Sequence, residues 1–107
     1  FGMGGDAKTK LKQLEPRTNT GYARMGMESL NRKRGADLKE AFNVRAGSCG
    51  EDFAGTPPGF EGAARRVWDA LRQLAGQYAL CCALALGVEP DYFAGTLGEM
   101  DLCTLRM

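Results

Sequence analysis

The strongest pattern in the chain is a run of apolar residues at steps of three and four. Phe60, Ala64, Val67, Leu71, Leu74, Tyr78, Cys81 or Cys82, and Ala85 recur on one side of a helical wheel. That periodicity predicts an amphipathic helix of about 27 residues, roughly 40 Å long. Trp68, Ala75 and Ala79 widen the stripe, while Arg65, Asp69, Arg72 and Gln73 lie off it. Gly87 is placed to end the helix in a left-handed turn, Val88 to make the apolar contact of that cap, and Pro90 to prevent continuation. From Gln77 to Val88 there is no charged residue, so the far end of the helix is expected to be buried all round. Pro90 at a first helical position, followed by Asp91-Tyr92-Phe93-Ala94, reads as one more helical turn closed by Gly95.

The first half of the chain is less regular. Asp6 is a good N-cap, and a first helix is expected from Ala7 to Leu14, with Leu11 and Leu14 on one face. Pro16 stops it, because the residue before a proline is driven out of the helical region. Thr18-Asn19-Thr20-Gly21 is a turn cluster, and Tyr22 to Leu30 reads as extended and irregular. Asn31 to Gly35 is a basic loop. Over Asp37 to Val44, Leu38, Glu40, Phe42 and Val44 alternate, so a short strand is expected with those four on one side. Residues 45–59 form a long glycine-rich loop that ends in Thr56-Pro57-Pro58-Gly59, of the length usually tied to function or flexibility. The fold class is therefore α+β: a mostly helical segment with one long helix and short strands.

Composition narrows the chemistry. The chain has 107 residues, one domain or part of one, and no histidine at all. Its own residues thus exclude Ser-His-Asp and Cys-His catalysis, zincin motifs, and an iron site of two histidines and a carboxylate. The cysteines are Cys49, Cys81, Cys82 and Cys103, with no C-x-x-C spacing. They read as small buried thiols in a reducing compartment, hence a cytoplasmic location. No apolar run reaches the ~20 residues of a membrane span. Residues 1–45 carry ten basic and five acidic side chains, and residues 46–107 carry four and eight. The overall charge of +1 gives no general attraction to nucleic acid or to an anionic membrane. No catalytic, cofactor-binding or metal-ligating residue stands out: Gly2-Met3-Gly4-Gly5 lacks the preceding strand of a phosphate loop. Asp91, Glu99 and Asp101 lack nitrogen or sulfur partners. The opening at Phe1, and a closing run from Leu102 to Met107 that reads as a strand with no later partner, fit a fragment of a longer protein.

The order of segments carries a resemblance. Gly21-Tyr22 leads to Gly26-Met27-Glu28-Ser29-Leu30, and Asp37-Leu38-Lys39-Glu40-Ala41-Phe42 follows. Pro57-Pro58-Gly59-Phe60 opens the long helix, and Ala83-Leu84-Ala85-Leu86-Gly87-Val88 ends it. Asp91-Tyr92-Phe93 and then Leu102-Cys103-Thr104-Leu105-Arg106-Met107 complete the series. This resembles the N-terminal region of the isopenicillin N synthase-like iron(II)/2-oxoglutarate-dependent dioxygenases, over nearly the whole chain. The resemblance implies a helical region at residues 1–98 packed against a double-stranded β-helix, or jelly roll, whose first strand begins within 99–107. It implies a parent enzyme in which Fe(II) is held by a His-x-Asp motif and a later histidine, and 2-oxoglutarate by an Arg-x-Ser motif. None of these motifs is present here, so no metal or co-substrate residue is carried over.

Three functions follow as expectations. The first is the structural N-terminal part of such an oxygenase acting on a small organic molecule. That part is inactive alone and has as its partner the C-terminal catalytic core of the same protein. The second is an independent helical interaction module, with Trp68 and Tyr78 on a partner-facing stripe. The third is a single-strand nucleic-acid binder using residues 31–34 and Tyr22, opposed by the acidic second half.

Overall fold

A computed structural model describes residues 2–29, 31, 33, 35–100 and 103–107. Phe1, Leu30, Arg32, Arg34, Asp101 and Leu102, which figure in the expectations above, lie outside the described residues. The elements run α1 (Gly5–Thr9), β1 (Gly21–Ala23), β2 (Ala41–Val44), a 3-10 turn at Gly50–Phe53, α2 (Phe60–Leu86), α3 (Ala94–Leu97) and β3 (Leu105–Arg106). The chain is α+β: one long helix and a three-stranded antiparallel sheet in the order β1-β2-β3.

β2 is the centre of the sheet. Tyr22 lies opposite Phe42, Asn43 is flanked by Gly21 on β1 and Arg106 on β3, and Val44 lies opposite Leu105. Because side chains alternate across a strand, Tyr22, Phe42, Val44 and Leu105 share one face. Against that face pack Leu11, Phe53 and Ala64, with Phe60 and Met107 partly buried beside them. Phe42 stacks on Phe53 and meets Phe60 edge to face at 5.2 Å between ring centroids. The other face is small and polar: Ala23 and Ala41 are buried, and Asn43 is fully buried. The Asn43 amide donates to Asn19 Oδ1 at 3.0 Å and accepts from Arg106 Nε at 3.2 Å. Arg106 in turn forks onto both oxygens of Glu28 at 2.6 and 2.9 Å. This bidentate pair ties β3 to the loop after β1.

Several local expectations change. The first helix begins after Gly4, not Asp6, and ends at Thr9. Its expected last turn is used otherwise: Lys12 C=O accepts from Tyr22 N–H and Leu14 N–H donates to Tyr22 C=O, both at 2.8 Å. The 12–14 segment thereby closes the outer edge of β1. Gly21 allows this approach: its φ is +105°, and a Cβ there would lie 2.7 Å from the Lys12 carbonyl oxygen.

The strand expected from Asp37 starts only at Ala41, and Leu38 is 88% exposed. The Asp37 backbone is already bonded to Gly26 and Glu28, which holds it in the loop. Phe42 and Val44 do share the core side as expected. The closing strand finds its partner upstream, not after Met107: Phe42 and Met107 exchange two backbone bonds at 2.9 and 3.1 Å. The turn after Pro90 is made of three-residue steps, Tyr92 to Glu89 and Ala94 to Asp91, so the helix there is displaced to Ala94–Leu97 and contains Gly95.

α2 has the expected length, 27 residues. At its end Val88 N–H bonds Ala83 C=O and Gly87 N–H bonds Leu84 C=O, with Gly87 left-handed at φ +69°, the pattern of a Schellman cap. Its burial is uneven. Ala64 and Ala83 are buried and Trp68, Ala75, Ala79 and Cys82 half-buried, while Val67, Leu71, Leu74 and Tyr78 are exposed. At ~100° per residue these are neighbouring stripes roughly a quarter-turn apart. Apart from Trp68 the covered stripe is of small residues, against which α3 and Met100 can approach closely, and the stripe of Val67, Leu71, Leu74 and Tyr78 is left open. The uncharged end is not buried all round, since Leu80, Leu84 and Leu86 are exposed. The sheet sits at the other end of the helix; in the described chain α3 reaches only Leu80 of the three, along a cleft shared with Pro90 and Phe93. The cysteines are also not buried thiols: all four are free, with Cys49, Cys81 and Cys103 exposed and Cys82 half-buried.

Candidate functional site

Two surfaces can carry function. The first is a cavity of about 300 Å³ on the core face of the sheet, between α1 and the start of α2. Its walls are mainly apolar, with Met3, Leu11, Phe42, Pro57, Phe60 and Met107 contributing. One corner is polar. α1 carries Lys8, whose ammonium donates to Glu40 Oε1 at 2.6 Å. β1 carries Tyr22, whose hydroxyl donates to Glu40 Oε2 at 2.5 Å. Glu40 sits just before β2, so three segments distant in sequence converge on one carboxylate.

The electrostatics follow from this geometry. The Lys8 ammonium, then the Tyr22 hydroxyl, hold the Glu40 carboxyl below its ordinary range. The hydrogen bond to Glu40, with burial second, pushes the Tyr22 phenol up to about 12. At neutral pH the phenol therefore stays protonated and acts as a donor, not as a base. Tyr22 is also buried under the sheet's core face, which removes it as a platform for stacking a nucleic-acid base. Sequence reading missed this site because it assigned Tyr22 and Glu40 to separate segments. The alternation of Glu40 with Phe42 and Val44 was the one signal that placed the carboxylate on the core side.

The second surface is the open stripe of α2. Val67, Leu71, Leu74 and Tyr78 are each about half exposed or more, with Tyr78 at 72%. Trp68, expected beside Tyr78 on a partner-facing stripe, instead lines a cleft with Leu71, Met100 and Leu105. Next to the stripe lies the free edge of the sheet. Because Phe42 and Met107 exchange their bonds, alternation turns the N–H and C=O of Arg106 away from β2. A third feature is a polar cleft where Arg45, Arg65 and Arg72 meet Asp69 and Glu99; its mixed charge favours neither sign of ligand.

Asp91, Glu99 and Asp101 are acids close in sequence. Asp101 lies outside the described residues, and Asp91 sits in the turn before α3. Among the described residues no three metal-ligating side chains are gathered, and no helix is long and apolar enough to cross a membrane. Compared with known protein families, with curated proteins and with solved structures, the chain matches none.

Proposed function

We propose that the chain is the structural N-terminal part of a non-haem iron(II)/2-oxoglutarate-dependent oxygenase that acts on a small organic molecule. The observation that carries the reading is the open apolar stripe of α2, which lies beside a free sheet edge at β3. A long helix with one unpartnered face and a strand with an unpaired edge are what a region built to pack on a further sheet presents. The order of segments quoted above supplies the identity of that sheet, a jelly roll beginning within residues 99–107. Iron and 2-oxoglutarate are not served by this chain's residues, which include no histidine. In this reading the chain binds neither, and no chemical step runs through it. A cytoplasmic location is part of the same proposal.

The test is the coding sequence beyond Met107. A His-x-Asp, a later histidine and an Arg-x-Ser in that order are expected. The protein so encoded should form succinate from 2-oxoglutarate only with Fe(II) and O2. A stop codon soon after Met107 overturns the reading.

The open stripe also favours a second reading, an independent helical interaction module with no catalytic activity. The two part on stability. A chain built to pack on a core should melt broadly and at low temperature by itself. A sharp two-state melt of the monomer above about 50 °C, within the range of ordinary domains, favours the module.

A further inference from the structure

The cavity beside Glu40 has a role in neither reading above, and its chemistry is specific enough to name a ligand class. We propose that it binds a small, uncharged, mostly apolar molecule with one hydroxyl or carbonyl group, the oxygen lying between Lys8 and Tyr22.

Size and lining come first. At about 300 Å³ the cavity is at the small end of ligand pockets, which run from about 300 to 1,000 Å³. It suits a molecule of one ring or two. Phe42 and Phe60, edge to face, offer aromatic surface at its floor.

The polar corner sets the rest. The Lys8 ammonium has three donors, and among the described residues one is spent on Glu40 Oε1. The Tyr22 hydroxyl spends its proton on Glu40 Oε2 and keeps an oxygen lone pair. Each carboxylate oxygen already receives one of these donors. The corner therefore offers a donor from Lys8 and an acceptor from Tyr22, the complement of a hydroxyl. A carbonyl would use the Lys8 donor alone.

Charge is disfavoured. Lys8 and Glu40 are mostly shielded from solvent, at 18% and 16% side-chain exposure, and they neutralise each other. Among the described residues, an anion entering here meets Glu40 and a cation meets Lys8, and neither finds an unpaired counter-charge to offset its lost hydration. An uncharged molecule does not incur that cost.

The experiment is an amide chemical-shift titration of the full chain with benzyl alcohol, with benzoate, benzylamine and toluene in parallel. Benzyl alcohol should give saturable shifts centred on Lys8, Tyr22, Phe42 and Phe60. Benzoate and benzylamine should bind at least about tenfold more weakly. Met3→Trp, which fills the mouth of the cavity from a half-buried position, should abolish the shifts. Lys8→Met should weaken benzyl alcohol by about tenfold while leaving toluene unchanged. The unmodified chain alone decides the main claim if a variant does not fold. No saturable shift, shifts that survive Met3→Trp in a folded chain, or benzoate binding as tightly as the alcohol would each overturn it. The proposal does not depend on the oxygenase reading, and the downstream coding sequence leaves it untouched.

Discussion

The two ends of α2 both carry apolar residues and meet opposite fates. At the first, Ala64 is buried under Phe42, Val44 and Phe53, and Phe60 closes the aromatic cluster. At the second, Leu80, Leu84 and Leu86 lie open, although that end has no charge. The difference is tertiary. The sheet gathers three distant segments onto one end of the helix, whereas α3 and Met100 reach mainly the alanine-rich stripe further along. Helical periodicity announces that a face wants covering; it does not say which chain covers it. An open apolar stripe of this kind is a surface on which a neighbour can pack.

The largest test of the contrast truncates one side chain in the covered core and one on the open stripe. Phe42→Ala deletes a buried side chain that contacts two aromatic neighbours and should cost about 3–5 kcal/mol. Leu74→Ala, on the open stripe, should stay within about 0.5 kcal/mol. Urea unfolding of the two variants checks this. Equal losses would mean that the stripe is covered in solution.

Leu71→Asp sharpens the same point by changing context. Leu71 is 48% exposed here, so in this chain a carboxylate can remain hydrated and the change should stay within about 0.5 kcal/mol. In the longer oxygenase proposed above, the same carboxylate would be desolvated at an interface, at a cost of several kcal/mol. Thermal melts of both proteins read the difference. No difference between the two contexts would sink the packing role of the stripe.

The sheet end also depends on charge, and the helix's far end does not. Asp52 accepts from Cys49 N–H at 2.8 Å, from Thr20 and from Lys12, which ties the 3-10 turn to the segment along β1. Burial alone would raise its carboxyl, but the Lys12 ammonium and the Cys49 N–H outweigh it and hold it below the ordinary value. Asp52→Asn should cost about 1–3 kcal/mol. Glu28 is lowered too, by Arg106 and Lys39, and Glu40 by Lys8 and Tyr22.

For groups depressed in the fold, the stabilisation is present above the ordinary carboxylate range and is lost as pH falls through the folded values. Tyr22 works in the other direction. Its phenol is raised to about 12 from 10.0, so its contribution is intact below pH 10 and disappears as pH climbs toward 12. Melts against pH should fall off on both sides; Asp52→Asn should make the acid fall shallower, with Glu28 and Glu40 keeping part of it, and should also remove the alkaline share that Asp52 lends by raising Lys12.

How much of this was legible in the sequence varies by element. α2 and its cap could be read because Phe60 to Ala85 repeat strictly and Gly87-Val88-x-Pro90 is a local stop. β2 was half legible: Phe42 and Val44 gave the face, but the start at Ala41 depends on the Asp37 backbone bonding back to Gly26 and Glu28. The short α1 was over-extended because Lys12 to Leu14 have helical propensity, and only the distant Tyr22 recruits their backbone to the sheet. β3 was read as partnerless because its partner lies over 60 residues upstream. The cavity was invisible for the same reason, since Lys8, Tyr22 and Glu40 meet only in three dimensions.

The smallest effect separates two arginines that the helical wheel treats alike. Arg65 and Arg72 both lie off the apolar stripe, and a single backbone bond ties each to a neighbouring segment: Arg65 to Ser48 C=O at 3.3 Å and Arg72 to Gly98 C=O at 3.2 Å. Arg65 does more, because it belongs to the sheet end. Its guanidinium lies 5.3 Å from the centre of the Phe53 ring and bonds Glu61 one turn earlier. A cation over an aromatic face at a partly exposed site is worth about 0.5–1 kcal/mol, and an exposed pair one helical turn apart about 0.3–0.5. Arg65→Ala should therefore cost about 1 kcal/mol, and Arg72→Ala about half of that or less. Arg65→Lys should recover part of the loss through the ring contact. Raising the salt concentration should shrink the Arg65→Ala effect only by the Glu61 share. Thermal melts of the three variants at low and high salt resolve these values. If Arg72→Ala proves the costlier, the segment around Gly98, and not the aromatic cluster, is what steadies the middle of α2.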